Sequence, residues 1–125
     1  MPKGLGQEDH IHKSFAAIVK GYEVFNRLNC SFWSYDASGE NRNAKTGALL
    51  KAKGLKKGQP DYHFKTLREG ITHYIYIEFK TDKGKQSDSQ KAFEKDCVGS
   101  NEKYYIARSV EEGLDILKKE GILTN

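Results

Sequence analysis

No stretch of this chain is apolar over anything near the roughly 18 residues that a membrane span requires. Cysteine is scarce: Cys30 and Cys97 stand apart, form no CxxC pair, and read as reduced packing residues rather than a disulfide or zinc site. The opening residues, MPKGLGQEDH, lack the apolar core of a signal peptide, so a cytoplasmic protein is the expectation. Repeats, low-complexity tracts and signs of a second domain are missing as well. What is present fits one soluble globular domain. The 125 residues are 37% hydrophobic and 30% charged, enough to bury a single real core.

The formal net charge is +4, with a pI near 9.0, which is compatible with a polyanionic partner without establishing one. Its distribution is more informative. Arg42, Lys45, Lys51, Lys53, Lys56 and Lys57 fall in RNAKTGALLKAKGLKK, a stretch without an acid. Two readings stand for it: a solvated basic loop or helix face, and a phosphate-binding surface.

Ile11, Phe15, Ile18, Val19, Tyr22, Phe25 and Leu28 recur at helical spacing and predict a first helix from about Glu8 to Leu28. Residues 31–47, beginning SFWSYDASGENRNAK, are polar and Gly/Asn-rich and read as a loop, with a short helical turn around Ala48 to Lys53. DYHFKTL and THYIYIEFK, joined through REG, predict an antiparallel hairpin. SDSQKAFEKDCV reads as a helix with Phe93 and Cys97 on one face, and KYYIARS as a third strand. Ser109 and Glu112 make a capping box for a last helix with Val110, Leu114 and Leu117 inward. The expected fold class is α/β (α+β), a mixed sheet flanked by helices in the order α-β-β-α-β-α.

Within YIYIEFKTDKG, side chains two apart share a strand face, so Glu78 and Lys80 project together, opposite Ile75, Ile77 and Phe79. A hairpin turned at about Gly70 brings Asp61 back to the level of Glu78. Two carboxylates about 4 Å apart repel by roughly 4 kcal/mol at an effective dielectric of 20. One of them must take a proton, or a cation must sit between them. Oxygen ligands suit Mg²⁺ or Mn²⁺, whereas zinc would want His or Cys. His10 and His12, two apart on a helix, are expected to point apart and offer no zinc site. A divalent cation polarises a phosphate and acidifies water, and a neighbouring ammonium orients that water or neutralises developing charge.

Gly58-x-Pro60-Asp61 followed by Glu78-x-Lys80 resembles the PD-(D/E)XK nuclease superfamily. The fuller pattern, GLKKGQPDYHF, YIEFKTDKGKQSDSQKAF and YYIARSVEEGLDIL, looks like its VRR-NUC branch, of the stand-alone phage or bacterial type. The likeness covers at least Gly54 to Leu117. It implies a restriction-endonuclease-like core and a Mg²⁺- or Mn²⁺-dependent DNA endonuclease acting on branched DNA such as Holliday junctions or flaps. It also implies a homodimer. By the same resemblance Asp61, Glu78 and the Phe79 carbonyl hold the metal, Glu8 on the first helix approaches it, and Lys80 assists the attacking water. Gln90 matches a family position beside the site, and Lys83 and Lys85 face the DNA backbone.

Each of these residues has a plainer reading. Glu78 and Lys80 alone would pass for an exposed pair worth at most about 1 kcal/mol. An acid in a first helical turn is favoured by the helix dipole, and Asp9 competes with Glu8. Gln90 fits a capping box with Ser87. Trp33 and Tyr35 read as core aromatics or as platforms for unpaired bases. The alternative function is a basic nucleic-acid-binding module without catalysis, and no residue excludes RNA as the substrate.

Overall fold

The central feature of the computed structural model is the expected hairpin; the residues described are 7–36, 49, 52–53, 58–97 and 101–124. β2 (Tyr62–Arg68) and β3 (Ile71–Phe79) pair antiparallel, from Arg68 opposite Ile71 to Tyr62 opposite Ile77. Glu69 and Gly70 close the turn with φ of 51° and 80°. Two consecutive positive φ values match the right-handed strand twist, which is why a two-residue turn suffices here. One step past the last pair, the same register sets Asp61 against Glu78.

Five further elements complete the described chain, with α1 (Gln7–Val24) and β1 (Phe32–Tyr35) ahead of the hairpin. After it come α2 (Asp88–Asp96), β4 (Glu102–Ala107) and α3 (Val110–Lys119). The sheet runs β1-β2-β3-β4, antiparallel except for the parallel β3–β4 pair. The protein is thus α+β, a four-stranded mixed sheet with three helices among the described residues. The observed order is α-β-β-β-α-β-α, and β1 is a correction to the loop expected over 31–47. Its four residues, FWSY, carry only a weak apolar pattern and become a strand by pairing with the edge of β2, Phe32 to Lys65 and Tyr35 to Tyr62.

Tyr62, Phe64, Ile75, Ile77 and Phe79 point to one face, where Ile11, Phe15 and Val19 of α1 and Leu117 of α3 close the core. Gly113 of α3 makes this packing possible, since a Cβ there would stand 2.7 Å from Phe79 Cζ and 3.0 Å from Phe15. The opposite face carries Tyr76 and Tyr104 against Phe93 of α2. α1 stops at Val24, four residues short of the expected end. Asn26 turns left-handed (φ 56°) and Arg27 N–H returns to the Tyr22 carbonyl, a helix-terminating loop. Ile18 and Phe25, expected inward, are exposed. Leu49 O accepts from Lys53 N–H, one turn of helix in the expected place. Cys30 and Cys97 form no disulfide, and both thiols are pushed up to about 11, chiefly by burial. Among the described residues, no helix is long and apolar enough to cross a membrane.

Candidate functional site

Asp61 and Glu78 are both 2% exposed, although each sits at the end of its strand where a charged residue would ordinarily meet water. Gly58 sets the approach to Asp61. Its φ is +88°, and a Cβ would come within 2.5 Å of the Ser89 carbonyl, so only glycine lets this loop lie against the start of α2. Pro60 is buried. Asp61 Oδ2 accepts a 2.7 Å hydrogen bond from the Phe79 amide, which locks the carboxylate to the strand that carries Glu78.

Glu78 has much poorer company. Its Oε1 is buried without a hydrogen-bond partner, and Lys80 Nζ stands 3.9 Å from Oε2. Burial, then the negative charge of Asp61, pushes the Glu78 carboxyl up to about 9, against the pull of Lys80. Asp61 is raised too, by burial, with the Phe79 amide and the His12 ring opposing. A carboxyl desolvated beside a second one is an arrangement that folding alone does not reward. The exposed-pair reading of Glu78 and Lys80 is therefore replaced: the acid is buried, and the Lys80 side chain is only 18% exposed.

Helix α1 contributes a second approach. Glu8 and His12, one turn apart, both face Asp61. His12 Nε2 lies 3.7 Å from Glu8 Oε1 and 3.8 Å from Asp61 Oδ2. Potential ligand atoms of Glu8, His12 and Asp61 all fall within 4.8 Å of one another. His10 and His12 point apart as expected: His10 is exposed, and the His12 ring turns inward onto Tyr35, Tyr62 and Phe79, at centroid distances of 5.1 to 5.5 Å. The signal available in the sequence was its spacing from Glu8, four residues, rather than its spacing from His10. Glu8 remains half exposed at 52%, so it reaches the cluster from the solvent side.

The other site candidates divide. Gln90 is buried and completes the capping box: Ser87 N–H donates to its Oε1 at 2.8 Å, and Gln90 N–H donates to Ser87 Oγ at 3.2 Å. Its side-chain oxygen is thereby committed to the cap. Phe79 meets Asp61 through its amide, with its ring in the core. Lys83 and Lys85 are exposed in the segment after Lys80, and Lys53 is exposed as well. Arg42, Lys45, Lys51, Lys56 and Lys57 lie outside the described residues. Trp33 stacks on Phe64 at 5.8 Å and donates to Glu23 Oε2, so it belongs to the packing, with one edge on a groove of about 890 Å³ beside α1.

Arg108 is a residue that sequence reasoning missed. Its Nη1 donates to the Thr81 and Gly84 carbonyls at 2.6 and 3.0 Å, holding the turn that follows Lys80. Gly84 in that turn lies against the Lys80 stem, and a Cβ would stand 3.4 Å from Lys80 Cβ and Cδ. No local pattern marks such a role, because the partners are backbone carbonyls from another element.

Two buried acids with an orphaned oxygen, a third acid and an imidazole at the rim, and a lysine fixed alongside fit a divalent cation by the chemistry of the donor set. No family model matches the chain, and no curated protein or solved structure matches it either.

Proposed function

We propose that this protein is a divalent-metal-dependent nuclease that hydrolyses phosphodiester bonds in DNA, on a core of the PD-(D/E)XK type. The observation that carries the reading is the buried Asp61–Glu78 pair, with Glu78 Oε1 unpartnered and Lys80 Nζ 3.9 Å from its other oxygen. Asp61 and Glu78 would hold Mg²⁺ or Mn²⁺, with Glu8 at the rim and the Phe79 carbonyl as a further ligand. A cation bound there would supply Lewis-acid polarisation of a phosphate oxygen.

The chain's own groups do the rest. Burial of both carboxylates keeps the local dielectric low, so charge placed between them is felt strongly. The Phe79 amide keeps Asp61 oriented and opposes the rise that burial imposes on its carboxyl. Lys80, with its stem against Gly84 and its turn pinned by Arg108, offers ammonium protons to the attacking water and to the charge that grows on the phosphoryl oxygens. The exposed Lys83 and Lys85 continue from it along the expected path of the DNA backbone. One such site cuts one strand, so a homodimer acting on branched DNA is part of the proposal.

The test is a cleavage panel with Mg²⁺ or Mn²⁺ over duplex, single-stranded, flap and four-way-junction DNA, with Asp61→Asn as the control. Metal-dependent cleavage that Asp61→Asn abolishes is the expected outcome, strongest on the branched substrates. Cleavage undiminished in that variant, or none on any substrate, would remove the reading. Light scattering checks the dimer, and a monomeric mass at working concentration counts against it.

A further inference from the structure

Resting on that nuclease reading, we propose that His12 Nε2 is a direct ligand of the cation, and that it makes the site select Mn²⁺ over Mg²⁺.

The orientation of His12 is set by one hydroxyl. Tyr62 OH lies 3.2 Å from His12 Nδ1 and 3.3 Å from the His12 carbonyl. With Nδ1 turned to Tyr62, Nε2 is the nitrogen that faces Glu8 and Asp61. A polar partner on the far ring nitrogen is the outer-shell arrangement that orients metal-binding imidazoles. Packing on Tyr35 and Phe79 leaves the His12 side chain only 12% exposed, so the ring has little freedom to turn away.

The distances agree with a shared ion. At 3.7 and 3.8 Å, Nε2 is beyond hydrogen-bond range of both carboxylates. Two ligand atoms each about 2.1 Å from one cation stand between about 3 and 4.2 Å apart, according to the angle between them. A separate observation stands next to it: Glu78, buried beside Asp61, has its Oε1 without a hydrogen-bond partner, although Glu78 is not among the residues whose ligand atoms converge.

The selectivity is a consequence of the donor atom. Mg²⁺ holds oxygen ligands and water and gains little from imidazole, whereas first-row transition ions bind it well. Carboxylates alone would leave the two ions close in affinity. One nitrogen among them tilts the site toward Mn²⁺.

The experiment is pulsed electron paramagnetic resonance on the intact chain loaded with Mn²⁺, alongside calorimetric titration with Mn²⁺ and with Mg²⁺. The expected spectrum carries a nitrogen coupling that shifts when histidine is supplied in heavy-nitrogen form and disappears in His12→Ala. In that variant Mn²⁺ affinity should fall by at least roughly tenfold, since losing a ligand costs no less than losing an outer-shell partner. Mg²⁺ affinity should change far less. Should His12→Ala fail to fold, the isotope shift in the wild-type spectrum and a His12→Gln titration decide in its place. Bound Mn²⁺ without nitrogen coupling, or an unchanged ratio of the two affinities in the variant, overturns the role of His12 and leaves the nuclease reading standing. A chain that binds no Mn²⁺ at all overturns both.

Discussion

Glu120 and Glu78 are both buried glutamates, 7% and 2% exposed, on either side of the same sheet's length, and their surroundings are opposite. Glu120, at the end of α3, receives the Tyr105 hydroxyl, Lys103 Nζ at 3.2 Å and Arg68 Nη2 at 3.2 Å. Burial works to raise its carboxyl, but the bonds from Tyr105, Lys103 and Arg68 and the charge of Lys103 outweigh it, and the group is held below the usual carboxylate range. Glu78 has one ammonium at 3.9 Å and a second carboxylate beside it, and its carboxyl is pushed up to about 9. Burial is common to the two, so burial does not mark a site. What separates them is whether the fold supplies the compensating charge. Where it does, the acid is held charged; where it does not, the acid takes up a proton or is open to a charge from outside the chain.

The widest gap between the two should appear in catalysis. Asp61→Asn, Glu78→Gln and Lys80→Ala are each expected to lower metal-dependent cleavage by about 10²–10³-fold or more, as for loss of a group that stabilises transition-state charge. Glu120→Gln should leave the rate of the folded protein unchanged. A comparable loss in Glu120→Gln, measured as cleavage per folded molecule, would erase the distinction.

Stability should invert that order. Unfolding in urea, with chelator present at neutral pH, should show Glu120→Gln losing about 2 kcal/mol, because charge-assisted bonds go while their half-exposed donors can return to water. Glu78→Gln should be neutral or stabilising under the same conditions. A loss at Glu78 equal to that at Glu120 would mean that both acids are structural.

The pH dependence sharpens the contrast further. Glu78 has a folded-state value near 9 against an ordinary 4.5, so its neutral form contributes stability in full below about 4.5, and that contribution is lost as pH rises toward 9. Glu120 is shifted down, so its contribution is present above 4.5 and is lost as pH falls. Melting temperature in chelator should therefore decline on both sides, with Glu78→Gln flattening the alkaline limb and Glu120→Gln the acid limb. A saturating divalent cation should restore the alkaline limb in the wild type only. An alkaline decline that persists in Glu78→Gln would assign it to other groups.

The smallest effect concerns the exposed lysines. Lys83→Ala and Lys85→Ala should each reduce the slope of log affinity for duplex DNA against log salt by about 0.9, without altering cation binding. A slope unchanged in both variants would place the DNA path elsewhere.

Much of the fold was legible because its signals are local. DYHFKTL and THYIYIEFK alternate apolar and polar residues about a two-residue turn, so their register followed from the sequence, and with it the placement of Asp61 level with Glu78. Ser87 with Gln90 was readable as a cap, and the structure makes it one. Ser109 caps α3 as expected, accepting from Glu112 N–H, but Glu112 reaches back to the Arg108 amide. β1 was not legible. FWSY has too few residues to carry a period and owes its strand to the free edge of β2. Nor was the inward turn of His12, which depends on the Tyr62 hydroxyl and the rings of Tyr35 and Phe79.

The sequence by itself determined the hairpin, its register and the meeting of two carboxylates with a lysine, because alternation and turn chemistry act between near neighbours. Only the tertiary structure decided which buried acid the chain itself neutralises. Arg68, Lys103 and Tyr105 come from two strands to neutralise Glu120, and among the described residues no comparable set reaches Glu78. Compensation of a buried charge is a sum over partners distant in sequence, and that sum exists only once the chain has folded.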